Sequence, residues 1–207
     1  MPATTAKRSY NSSRRTLQAA QTREEVLRAA SRLFQDSGWS GTTLAAIADE
    51  AGVSVETIYK GFGSKKALLR QAMDVAIVGD AEPIPYADRP EFAALGEGTR
   101  DERIAHGMAV VADVHERSAG IWQAIVEAAS ADPEVDEWRL TMEANRRIDV
   151  ARSVELVLGE QVDDALVTML WVLYSPETYR KLVIDDGMSR PEYEALLADA
   201  SRRLADA

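Results

Sequence analysis

Apolar residues recur in this chain at intervals of three and four almost from end to end, and no stretch alternates at an interval of two. The first spacing lines up one stripe of a helix; the second is what a half-buried strand requires. The pattern therefore specifies an all-α fold. Val26, Ala29, Ala30, Leu33 and Phe34 mark a helix with Thr22 as its cap, Glu25 three residues on and Gly38 at its end. Thr43 opens a second, short helix with Leu44, Ile47, Ala48 and Ala51 on one face, and Gly52 breaks it. Ser54 caps a third helix to about Phe62, and Ser64 a fourth from Lys65 to about Val78. Residues 79–98 hold three prolines and three glycines and read as a linker. Helical patterns resume over about 101–117, 121–131, 133–158, 163–174, 176–184 and 190–204.

Residues 1–21 carry Lys7, Arg8, Arg14 and Arg15 without an acidic residue and with little apolar content. That composition predicts a disordered basic tail, since it buries too little surface to offset ordering entropy. The 207 residues carry a net charge of −10, but the charge is unevenly placed. Up to residue 75 there are 11 Lys or Arg against 7 Asp or Glu; beyond it there are 13 against 27. A basic end facing a polyanion and an acidic body that stays soluble fit this division, and so does an uneven scatter of surface charge. Cysteine is absent, which removes disulfides, thiolate metal sites and cysteine nucleophiles. No run reaches the ~18 apolar residues of a membrane helix, and the start lacks an apolar signal region. The expected setting is cytoplasmic, without a membrane partner. His106 and His115 have no third ligand at metal spacing, so neither a metal nor a cofactor is expected. No nucleophile–base constellation argues for an enzyme.

Residues 43–62 are the most informative. Two short helices joined by a tight turn cross closely, which needs a small residue at the contact and a residue tolerant of positive φ in the turn. Ala48 and Gly52 supply these. With Ile47, Val53, Ile58 and Phe62 turned inward, Val55, Glu56, Thr57, Tyr59 and Lys60 are left on the outer side. A helix-turn-helix presents its second helix to the major groove in this way, and an ordinary helical hairpin shares the spacing.

The run Thr22-Arg23-Glu24-Glu25-Val26-Leu27 through Leu33-Phe34 and Gly38, then Thr42-Thr43-Leu44-Ala45-Ala46-Ile47-Ala48, Ala51-Gly52-Val53-Ser54, Thr57-Ile58-Tyr59, Phe62-Gly63-Ser64-Lys65 and Leu68-Leu69 resembles the DNA-binding domain of the tetracycline-repressor (TetR) family. The resemblance implies a helix-turn-helix DNA-binding domain over 22–70 and a helical effector-binding and dimerisation domain over 71–207. It also implies that Val55, Glu56 and Thr57 lie against bases, and that Thr43, Tyr59, Lys60 and Lys65 lie at or near phosphates. Ser54, a helix-start hydroxyl, suits a phosphate oxygen as well. Thr57 can bond a base or touch a thymine methyl, Val55 offers apolar contact, and Glu56 either accepts from a cytosine amino group or serves the helix dipole. Gly61 departs from the family, which usually carries histidine or another large residue there.

In the body, Leu166, Met169, Leu170, Leu173 and Tyr174 form one apolar side, and Tyr193, Leu196, Leu197, Ala200 and Leu204 another. Such sides suit either a dimer interface or an internal core. The resemblance favours a homodimer, with Leu166, Met169, Leu170, Leu173, Tyr193 and Leu197 as its candidate contacts. It also implies a cavity for a small-molecule effector, for which Met108, His115, Trp122, Trp138, Met142 and Trp171 are candidate lining residues. The expected function is a homodimeric repressor on a pseudo-palindromic double-stranded operator, released by a small molecule. The alternative is an architectural or activating DNA-binding protein without an effector.

Overall fold

In a computed structural model of the chain, residues 6–80, 84 and 89–206 are described, and among them no strand occurs. The helices are α1 (Ala6–Gly41), α2 (Leu44–Glu50), α3 (Val55–Phe62), α4 (Lys65–Val78), α5 (Pro90–Ala93), α6 (Arg100–Ala129), α7 (Pro133–Leu158), α8 (Asp164–Leu173), α9 (Pro176–Tyr179) and α10 (Arg190–Ala205). A 3-10 turn, Ala94–Gly96, follows α5, and a π-type turn, Arg180–Asp185, follows α9.

The expected caps of α2, α3 and α4 are present. The hydroxyls of Thr43, Ser54 and Ser64 accept from the N–H of Ala46, Thr57 and Ala67 at 3.0, 3.2 and 3.1 Å. Thr22 caps nothing, because α1 is already helical from Ala6. No Gly or Pro interrupts residues 6–37, so the helix anchored by the buried Val26, Ala30 and Phe34 runs back through the polar segment. Its side chains from Arg15 to Ala20 are exposed. Residues 1–5, and the side chains of Lys7, Arg8 and Arg14, lie outside the described residues. Gly38, at φ 66°, ends the regular part of α1.

A second difference is α6. The sequence suggests a break between about 117 and 121, yet one helix spans Arg100–Ala129. Gly120 interrupts nothing; it is the point where α1 crosses. A Cβ on Gly120 would lie 2.6 Å from Gln35 Cγ and 2.8 Å from the Gln35 carbonyl oxygen. Residues 81–83 and 85–88 of the expected linker lie outside the described residues, and the described parts of 79–98 are tied down. Asp80 and Arg89 pair through two contacts at 2.6 and 2.9 Å, and Phe92 and Leu95 are buried in the body.

Two apolar cores result. One joins α1 through α4 with the C-terminal half of α6, including Ile121, Ile125 and Ala128. The other joins the N-terminal half of α6, including Ile104, Met108 and Ala112, with α7, α8 and α10. Among the described residues no helix is long and apolar enough to cross a membrane.

Candidate functional site

The α2–α3 turn is tight for the reason its sequence suggests. Gly52 has φ 65°, the Val53 N–H donates to the Ala48 carbonyl at 2.9 Å, and Ala48 is buried against the crossing. Ile47 and Ile58 are fully buried and Phe62 nearly so, which fixes the rotation of α3 and decides what it shows to solvent. Thr43, Ser54, Glu56, Thr57, Tyr59 and Lys60 are exposed. Tyr59 keeps 56% of its surface accessible, unusual for a ring that has a core beside it. Val55 is only half exposed and packs partly on the core. The Ser54 and Thr57 hydroxyls lie 3.0 Å apart. One donates to the other, so the pair retains one hydroxyl proton for an outside acceptor.

Lys65 differs from the expectation of an outward phosphate contact. Its ammonium donates to the Trp39 carbonyl and sits 3.9 Å from the centre of the Trp39 ring. Burial pushes its pKa down, with the Glu127 carboxylate opposing. Arg23, not singled out in the sequence, lies 4.7 Å over the Phe62 ring and donates to Gln71 and to the Gly61 carbonyl. A Cβ at Gly61 would meet nothing within 4 Å, so no steric demand explains the glycine.

The head is tied to α6 and to the start of α7 at several points. The N–H groups of Trp39 and Ser40 donate to the Glu127 carboxylate at 2.8 and 3.2 Å. These bonds and that from the Ser40 side chain hold the Glu127 pKa below its usual value, with the Ser40 side chain contributing most. Arg117 donates to the carbonyls of Ala76 and Ile77 at 2.9 and 3.3 Å, satisfying the end of α4. Gln35 donates to the Glu116 carbonyl at 3.1 Å. Lys66 bridges Asp132 and Glu134 at 2.9 and 2.6 Å. None of these links is readable from local spacing, because each joins residues at least 40 positions apart.

Between α4, α6, α7 and α8 lies a solvent-connected cavity of about 330 Å³. Of the expected lining residues, Met108, His115, Trp122 and Met142 border it, while Trp138 and Trp171 do not. Trp138 lies beneath the Arg70 guanidinium at 4.9 Å, and Trp171 beneath that of Arg146 at 5.1 Å. Each ring is covered by a cation instead of facing the cavity. His115 is almost wholly buried: Nδ1 is 3.1 Å from the Tyr193 hydroxyl, and the rings of Tyr179 and Tyr193 pack against it. Burial, aided by the nearby Arg146 charge, pushes its pKa down to about 3, so the imidazole is neutral at pH 7. The Tyr174 hydroxyl, paired with Ser201, is pushed up to about 12 by burial. The polar wall of the cavity, Asp74, Glu143, Arg146 and Asp149, goes unmarked in the sequence because charged residues on a long helix read as solvated.

The apolar sides of α8 and α10 need a correction. Leu170, Tyr193 and Leu197 are 0–1% exposed within a single chain, which leaves no surface for a second copy. The regular spacing there marks the inward face. Leu166 and Leu173 are half-buried, and Met169 is 44% exposed. Val172 at 56% and Leu196 at 41%, neither among the six candidate contacts, complete an exposed apolar set with Met169.

Residues 26–72 match the family described as "Bacterial regulatory proteins, tetR family". No curated protein sequence matches the chain. Solved structures with the same fold include a Rhodococcus sp. protein assigned to the TetR-family transcriptional regulators, 16% identical, with TM-score 0.67 and coverage of 89% of this chain and 98% of that one. A Mesorhizobium loti protein with the same assignment is 18% identical, with TM-score 0.64 and coverages of 90% and 96%. PfmR, a TetR family transcriptional regulator from Thermus thermophilus, is 22% identical, with TM-score 0.53 and coverages of 86% and 96%. At these identities the likeness establishes the fold.

Proposed function

We propose that this chain, whose residues 26–72 match the TetR family of bacterial regulatory proteins, is a homodimeric repressor whose operator affinity is set by a small molecule in the body cavity. The observation that carries this reading is one helix, α6, whose C-terminal half closes the core under the helix-turn-helix while its N-terminal half walls the cavity. In the proposal, Thr57, Val55 and Glu56 face base edges, and Thr43, Ser54, Tyr59 and Lys60 face the backbone. Lys65 contributes through Trp39 and the shape of the α1–α2 corner rather than as a free phosphate contact.

One helix-turn-helix covers a small interface, so specific binding calls for two, spaced by a helical turn of DNA or a multiple of it. Met169 and Val172 on α8 and Leu196 on α10 are the exposed apolar residues such a pairing would cover. Release requires that the occupied cavity favour the arrangement that does not bind DNA; equal affinity for both arrangements shifts nothing.

The test is fluorescence anisotropy with labelled DNA from upstream of the protein's own gene, beside a scrambled duplex, at two salt concentrations. Tight, salt-sensitive binding that prefers the native fragment supports the proposal. Equal weak binding to both, repeated with fragments from a genome-wide selection, removes it.

A further inference from the structure

The charges around the cavity are not balanced, and the imbalance has a direction. Arg146 is the one cationic side chain bordering it among the described residues, and four of its five N–H donors are committed. It forks onto Glu143 at 2.8 and 3.3 Å and donates to the carbonyls of Trp171 and Tyr174 at 2.8 and 3.1 Å. An arginine held this way offers little to an incoming anion. His115, the other basic group on the wall, is neutral and engaged with Tyr193.

Two carboxylates remain. Asp74 on α4 and Asp149 on α7 border the same cavity, and among the described residues neither makes a hydrogen bond or an ion pair. Asp74 keeps an exposed edge while the surrounding protein withholds part of its water, and Asp149 is half-buried. The opposing charges that act on them, Arg70 and Arg152, lie on the same helices as the carboxylates and form no ion pair with them. Burial raises the pKa of both acids, with those arginines only partly offsetting it. The rest of the wall is mostly apolar, with Ile77, Val111, Val114 and Val150 among its members. Partly dehydrated acids beside apolar surface are stabilised by a positive charge that brings its own apolar body.

We propose that the cavity takes an amphipathic organic cation, its protonated amine or quaternary nitrogen directed to Asp74 and Asp149 and its hydrocarbon body against the valine-lined wall. This rests on the reading of the cavity as an effector site and specifies the chemistry of the effector.

Three fluorescent probes with one aromatic body separate the possibilities: 1-pyrenemethylammonium, 1-pyrenemethanol and 1-pyrenecarboxylate, titrated into the full-length protein. The ammonium is expected to bind at least about tenfold more tightly than the carboxylate, with the alcohol between them. In the Asp74→Asn, Asp149→Asn double variant that preference is expected to fall to within about threefold. A control variant, Glu160→Gln with Asp186→Asn, removes the same amount of negative charge from exposed positions and is expected to retain it. Equal binding of all three probes, tighter binding of the carboxylate, or equal loss of preference in the control overturns the proposal. DNA affinity measured in the same solutions keeps the two readings apart. A cation bound with this selectivity that leaves DNA affinity unchanged upholds the cation site and overturns effector release. Release of DNA by the bound alcohol or carboxylate, without charge preference, does the reverse.

Discussion

The two halves of α6 have opposite surroundings. From Ile121 to Ala128 the inner face of the helix packs into the head against α1 and α4, with Ile121, Ala124 and Ile125 at zero exposure and Trp122 alone also reaching the cavity. From Ile104 to Ser118 it borders an open cavity with acidic side chains on the facing wall. A close-packed contact transmits displacement because it cannot absorb it, whereas a wall beside a void has room for a second arrangement. In the proposed function, one end of the helix responds and the other carries the response.

The largest expected effect breaks the packed end. Ile125→Ala is expected to cost about 2–5 kcal/mol, as for other buried Ile deletions. Urea unfolding followed by head and body probes is expected to remain one transition, since α6 belongs to both cores. Two separated transitions, with only the head shifted, would mean that the halves are independent.

Acid is expected to weaken the open end. The His115 imidazole takes up a proton near pH 6.5 in the unfolded chain but only near 3 when folded. Above pH 7 both states are neutral and the group contributes nothing to the pH dependence. Between pH 6.5 and 3 the unfolded state binds the extra proton, so stability falls with falling pH, by about 2 kcal/mol from pH 7.5 to 5. In His115→Asn that part of the loss is expected to vanish, measured by urea titration at both pH values.

Effects on DNA recognition are smaller and confined to the head. Thr57→Ala is expected to change base preference by about 1 kcal/mol at the contacted positions, read by binding to a panel of operator variants. Tyr59→Ala and Lys60→Ala are expected to weaken all sequences alike, and Lys60→Ala to reduce the salt slope by about one unit. Lys65→Met, whose ammonium is held by Trp39, is expected to lower stability while leaving that slope nearly unchanged. The smallest effect is a gain: Gly61→Ala, with open space at the Cβ, is expected to stabilise the head by up to about 1 kcal/mol in urea unfolding.

What the sequence discloses follows the range of the interactions. The caps at Thr43, Ser54 and Ser64, the Gly52 turn and the inward rotation of Ile47 and Ile58 are local, and periodicity reveals them. The continuity of α6 through Gly120 is hidden, because the contact that explains the glycine is on α1, 85 residues earlier. The tail misleads for a similar reason: composition weighs burial, while the helix there grows from an anchor further along. Leu170, Tyr193 and Leu197 illustrate a different limit. A regular apolar stripe identifies a buried face but not whether the covering partner is another helix of the same chain or a second copy. Asp74 and Asp149 are silent because a carboxylate on a helix looks the same whether it faces bulk water or a cavity.

The proposed coupling between the two halves would be reciprocal by thermodynamic necessity, so it can be tested from the DNA side alone. Hydrogen exchange of the full-length protein, with and without a selected DNA duplex, tests it directly. The account predicts altered protection not only in α2, α3 and α4 but also along the cavity wall of α6, from Gly107 to Ser118, and the facing stretch of α7. Protection that changes in the head alone, with the cavity wall unaffected, would contradict it.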